Sequence, residues 1–75
     1  MVSIMALGLV QGYMPQQQAV LKAPLAGMTA GEIAEHLQLP AHAIWFFSVA
    51  GQRVVPDYVL KVGEELVIHS PVDGG

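Results

Sequence analysis

Cysteine is absent from the 75 residues, which excludes a disulfide, a thiolate metal site and a cysteine nucleophile. Positive charge is scarce as well. Lys22, Arg53 and Lys61 stand against 6 acidic residues, for a net charge of −3. Nucleic-acid affinity comes largely from neutralising phosphates, so three scattered cations argue against a nucleic-acid partner. No long apolar run is present: Val2–Val10 is apolar but short, without a basic flank or cleavage site. It reads as neither a signal peptide nor a membrane span, and a cytoplasmic protein is expected. His36, His42 and His69 lack ligand spacing, so no metal site is expected and the histidines are read as surface residues. There is no room for a second domain.

What the chain does have is apolar bulk: 53% hydrophobic residues against 12% charged. A chain this short buries only ~60–65% of its unfolded surface, so its core must be dense. Without staples, a regular hydrogen-bonded fold has to stabilise it. Val2–Val10 reads as a first strand, Gln11–Gln17 as a loop broken by Gly12 and Pro15, and Gln18–Ala23 as a second strand stopped by Pro24. Thr29 and Glu32 have capping-box spacing and predict a helix over Ala30–Gln38, ended by Pro40. Its apolar face would be Ala30, Ile33, Ala34 and Leu37.

Ile44–Ala50 is β-branched and aromatic and reads as the strongest strand. A tight turn at Gly51-Gln52 leads into a return strand at Arg53-Val54-Val55, which Pro56 stops at a sheet edge. Asp57–Leu60 reads as one helical turn, Val62-Gly63 as a turn and Glu65–Ser70 as the last strand. The order is β-β-α-β-β-β, an α+β arrangement of one sheet covered by one amphipathic helix.

Pro71-Val72-Asp73-Gly74-Gly75 is too rich in backbone breakers to be anything but tail. The expected organisation is a body over 1–70 and a flexible arm over 71–75. Lacking Cβ atoms, Gly74 and Gly75 can enter a channel too narrow for other residues. Ordering a residue costs ~1–2 kcal/mol, so the arm stays mobile until a partner holds it. The working group is then the Gly75 carboxylate, with Val72, Asp73 and Gly74 lying in the partner's channel. A carboxylate cannot itself accept sulfur. An ATP-dependent partner could adenylate it, and sulfide or persulfide attack would leave a thiocarboxylate.

Several stretches carry a resemblance: Ile44–Ala50 and its turn, Val54-Val55-Pro56-Asp57-Tyr58, Val62-Gly63-Glu64-Glu65-Leu66, and Pro71-Val72-Asp73-Gly74-Gly75. Together they resemble the ThiS/MoaD family of sulfur carriers, and the Thr29–Leu39 helix sits where that family has its own. The likeness covers residues 29 to 75 well and 1 to 28 loosely. It implies a ubiquitin-like β-grasp fold, a mixed sheet of four to five strands packed on one main helix, with a flexible Gly-Gly tail. It also implies a carrier rather than an enzyme, with no bound cofactor. Its partners would be an E1-like adenylating enzyme that uses ATP, a sulfur donor, and a synthase subunit that accepts the sulfur. Ser70-Pro71-Val72-Asp73-Gly74-Gly75 is more similar to molybdopterin-type carriers and Gln52-Arg53-Val54-Val55-Pro56 to thiamine-type ones, with a slight lean to the former.

Consecutive Trp45, Phe46 and Phe47 must send a large ring to each face of a strand. Trp45, Phe47, Met5, Leu7 and Arg53 are the candidate docking residues for the activating enzyme. Two other functions remain open. One is a ubiquitin-like modifier joined through Gly75 to lysine amines. The other is a DNA-binding protein, because Gly51–Ile68 also resembles AbrB/MazE-like regulators.

Overall fold

The computed structural model describes residues 1–71. Five strands form one mixed sheet: β1 (Val2–Leu7), β2 (Val20–Ala23), β3 (Phe46–Val49), β4 (Gln52–Val54) and β5 (Glu65–His69). One α-helix, α1 (Ala30–His36), covers a single face. The spatial order is β2-β1-β5-β3-β4. β5 runs parallel to β1, with Ser3 opposite Glu65 and Leu7 opposite His69, and every other pair is antiparallel. The chain's first and last strands thus pair at the centre of the sheet.

Helix α1 starts as its sequence predicts. Glu32 N–H donates to the Thr29 hydroxyl at 3.1 Å while the Glu32 carboxylate accepts from Thr29 N–H at 2.9 Å, a complete capping box. Ala30, Ile33 and Ala34 are buried against the inner face of the sheet, beside Ile4, Leu66 and Ile68. Burying a side chain such as Ile33 contributes ~1.5–3 kcal/mol.

The helix stops earlier than the expected Gln38, and not because of Pro40. Gln38 adopts φ 59. Its N–H donates to the Glu35 carbonyl at 2.9 Å and Leu39 N–H to the Ala34 carbonyl at 3.0 Å, a Schellman ending. That reversal buries Leu39 and leaves Leu37 only half-buried, so the apolar load moves two residues along.

Other boundaries shift for identifiable reasons. β1 ends at Leu7 because Gly8 turns to φ 72 and opens a 3-10 segment, Gly8–Tyr13, that still tucks Val10 into the core. The expected loop over Gln11–Gln17 contains that segment's end and a second short one, Pro15–Gln17. The aromatic strand is trimmed to β3, preceded by a 3-10 turn at Ala41–Ala43. Its hairpin turn is Ala50-Gly51, at φ 54 and 80, rather than Gly51-Gln52. Val49 pairs with Gln52, so a two-residue turn with two positive φ values is required.

Asp57–Leu60 is not helical. Tyr58 N–H closes a turn on the Val55 carbonyl, and the chain then extends, with Val59 bridging Thr29 and Leu60 N–H bonding the Met28 carbonyl. The segment Gly51–Ile68 therefore supplies β4 at an edge and β5 at the centre, with β3 between them. It does not form the hairpin of an AbrB-like unit.

The loop into β5 is clamped by Glu64. Its carboxylate accepts from the Tyr58 hydroxyl at 2.7 Å and from Lys61 N–H at 2.9 Å. The Tyr58 hydrogen bond, followed by that from Lys61, holds the Glu64 carboxyl below its usual range, and the Glu64 partner pushes the Tyr58 hydroxyl up. Depressed in the folded state, Glu64 adds stability above the unfolded glutamate pKa and loses it as pH falls through the folded value. Tyr58, raised, loses its share as pH climbs through its own folded value.

Two outcomes are expected. Tyr58→Phe moves the Glu64 carboxyl titration upward toward its usual range, read by carbon NMR, and flattens the acid limb of the stability curve. Gln38→Gly raises the urea-unfolding free energy by about 0.5–1 kcal/mol, because it relieves a left-handed non-glycine residue at the helix end.

Candidate functional site

Register decides which side chains each face presents, because directly paired residues share a face and neighbours alternate. Val2, Ile4, Ala6, Leu66, Ile68, Phe47 and Val49 face the helix and are buried. The opposite face carries Met5 and Leu7 from β1, Val67 and His69 from β5, Phe46 and Ser48 from β3, and Arg53 from β4. Of the expected docking residues, Leu7 and Trp45 are exposed, Arg53 is exposed, and Met5 is half-buried on this outer face. Phe47 is the exception. It is 6% exposed and its ring packs under the helix, on the face opposite to the other candidates.

Phe46, which the sequence left unassigned to either face, is the centre of the outer surface. His69 stacks on its ring with centroids 4.1 Å apart and planes 13° apart. Arg53, from the strand on the other side of β3, places its guanidinium carbon 4.7 Å from the same centroid, within cation–π range. Trp45 meets Phe46 edge-on at 5.0 Å and 76°. His69 also pairs with the Ser48 hydroxyl through Nε2 at 2.9 Å. It is therefore a stacked, hydrogen-bonded sheet residue and not the free surface histidine expected. Alternation along Phe46–Ser48 and the pairing of His69 with Phe46 were the signals for this, and the second exists only in three dimensions.

β5 delivers the chain to the rim of that surface. Ser70, the residue after it, bonds twice to the far end of β1: its hydroxyl donates to the Leu7 carbonyl at 2.8 Å and accepts from Val10 N–H at 2.7 Å. Gly8 lies so close that a Cβ on it would sit 3.2 Å from the Ser70 Cβ. Pro71, the last described residue, lies beside Leu7, Leu9, Trp45, Phe46 and His69, which line a shallow groove with it. Val72, Asp73, Gly74 and Gly75 lie outside the described residues. Among the described residues, no cluster of His, Cys, Asp and Glu has the geometry to hold a metal ion, and no helix is long and apolar enough to cross a membrane.

No protein-family model matches the sequence, and no curated protein matches it. Among solved structures, the chain is similar to SAMP1 from Haloferax volcanii, with a TM-score of 0.71 and 15% identity over 99% of this chain and 98% of that one. At that identity the likeness establishes the fold. This is a ubiquitin-like β-grasp: a mixed five-stranded sheet with one helix across it.

Ser70→Ala removes both hydrogen bonds and strands the buried Val10 N–H. The expected loss is about 1–3 kcal/mol of unfolding free energy, with faster hydrogen exchange at the Val10 amide and little change in α1.

Proposed function

We propose that this chain is a ubiquitin-like sulfur carrier, loaded at the carboxylate of Gly75. The observation that carries the reading is the β-grasp fold, matched over 99% of the chain, with its last strand followed in the sequence by Ser70-Pro71-Val72-Asp73-Gly74-Gly75. In the proposed chemistry, the Gly75 carboxylate attacks the α-phosphate of ATP in an E1-like partner and releases pyrophosphate. Hydrosulfide attack on the acyl adenylate then expels AMP and leaves a thiocarboxylate. If a persulfide attacks instead, a second thiol must cleave the acyl disulfide to give the same product.

None of these steps asks anything of a side chain in this protein. Its contribution is delivery. Five extended residues reach ~17 Å at most, so a partner must bring its site close to the rim where Ser70 holds the chain. Trp45, Leu7 and Leu9 provide exposed apolar surface at that rim, suited to positioning an activating enzyme. The ending Ser70-Pro71-Val72-Asp73-Gly74-Gly75 favours a molybdopterin-type acceptor over a thiamine-type one.

Intact mass spectrometry of the protein from its native cells tests the reading. A chain ending at Gly75, with a fraction heavier by one oxygen-to-sulfur exchange, is the expected result. A mature chain that continues past Gly75 overturns it. Branched Gly-Gly remnants on lysines of other proteins, without any thiocarboxylate, replace the carrier with a protein modifier. Adding one residue after Gly75 is expected to abolish sulfur transfer while leaving the backbone amide spectrum of residues 1–70 unchanged.

A further inference from the structure

The β4 edge of the sheet has unused hydrogen-bonding capacity in a defined pattern. Val49 and Gln52 flank the two-residue turn, so they form a hydrogen-bonded pair, and so do Phe47 and Val54. Ser48 and Arg53 between them form the pair without bonds, which points the Arg53 N–H and C=O away from β3. By the same alternation Val55 N–H points outward. Its carbonyl is already taken by Tyr58 N–H at 3.0 Å, and the next carbonyl, that of Pro56, by Gly31 N–H at 2.9 Å. Beside this edge runs a groove of about 430 Å³ lined by Trp45, Phe46, Arg53, Val55 and Pro56. Val55 is 65% exposed.

We infer that the β4 edge is a docking site for an extended segment of a partner protein, added antiparallel to β4, with an acidic residue opposite Arg53 and an apolar residue two positions before it. Backbone geometry sets this pattern. The incoming residue opposite Arg53 exchanges both main-chain bonds with it and shares its outer face. Two residues earlier, the incoming carbonyl accepts from Val55 N–H, and its side chain lies over the apolar groove. Strand addition of this kind takes affinity from main-chain bonds and specificity from alternate side chains.

Charge selects the occupant. A second copy pairing antiparallel through the same edge can satisfy both main-chain groups of Arg53 only with Arg53 opposite Arg53, since the Val55 carbonyl is taken, and like charges directly opposed are destabilising. A carboxylate there meets a guanidinium held over the Phe46 ring. The edge thus discriminates against self-association and for an acidic partner strand. The edge groove shares Trp45 and Phe46 with the groove at the Ser70 rim, but its main-chain bonds come from Arg53 and Val55 and no step of the Gly75 chemistry uses them, so the inference stands or falls separately.

The probe is a backbone-cyclised β-hairpin peptide with an outer strand reading Thr-Ile-Thr-Glu-Thr, which is already ordered and so loses less freedom on binding. Titrated into the full-length protein, it is expected to shift the Arg53 and Val55 amides most and to slow their hydrogen exchange. Replacing its Glu by Lys should weaken binding about fivefold, and Arg53→Glu should reverse that preference. Shifts centred on β2 or α1, no binding by either peptide, or a Glu-to-Lys change without effect would each overturn the inference. Arg53 is exposed, so the charge reversal leaves the core intact, and thermal unfolding of the variant checks that directly.

Discussion

The parallel pairing of β1 with β5 is the constraint on which the rest of the molecule depends. It sets two strands from opposite ends of the sequence side by side in the middle of the sheet. Parallel neighbours need long connections, and here the intervening chain supplies the helix, both edge strands and the loops that close the core. Ile4, Leu66 and Ile68 are fully buried at this seam. The same pairing brings Leu7 level with His69 and allows Ser70 to bond across to Leu7 and Val10. The position of Ser70, after the last strand, is therefore fixed by the most central contact in the fold.

One consequence is a division of labour between the two faces of the sheet. The inner face is aliphatic apart from Phe47 and lies under α1, while the outer face carries aromatic and cationic groups stacked on one another. Phe46 organises it because β4 and β5 flank β3 and each contributes a ring or guanidinium to the Phe46 side chain. Such contacts hold side chains in place without covering them with another layer. The result is a structured surface beside Ser70 and Pro71, with Trp45 and Leu7 left exposed at its margin. An ordered surface loses less freedom on docking than a mobile one.

Much of the architecture was legible in the residues. The Thr29–Glu32 box marked the start of α1, apolar runs marked five strands, and Pro56 marked the end of β4. Two of the boundary errors fall where a non-glycine residue adopts a positive φ. Gln38 ends the helix and Ala50 turns the hairpin, and neither residue type announces a left-handed conformation. Phe47 was placed on the docking surface because alternation says which residues share a face but not which face is covered. Leu37 was assigned to the core by helical periodicity, and the Schellman reversal transferred that place to Leu39.

Local chemistry acts over three or four residues, so caps, breakers and strand periodicity determined the order of the elements from the sequence alone. The composition likewise determined that a regular hydrogen-bonded fold, without staples, must support the core. Tertiary structure decided what depends on partners distant in the chain. It set Ser70 against Val10, stacked His69 on Phe46, tied Tyr58 to Glu64, and turned Phe46 outward and Phe47 inward. A side chain's environment is created by whichever strand lies beside it, and strand order is a property of the folded sheet rather than of any local stretch of sequence.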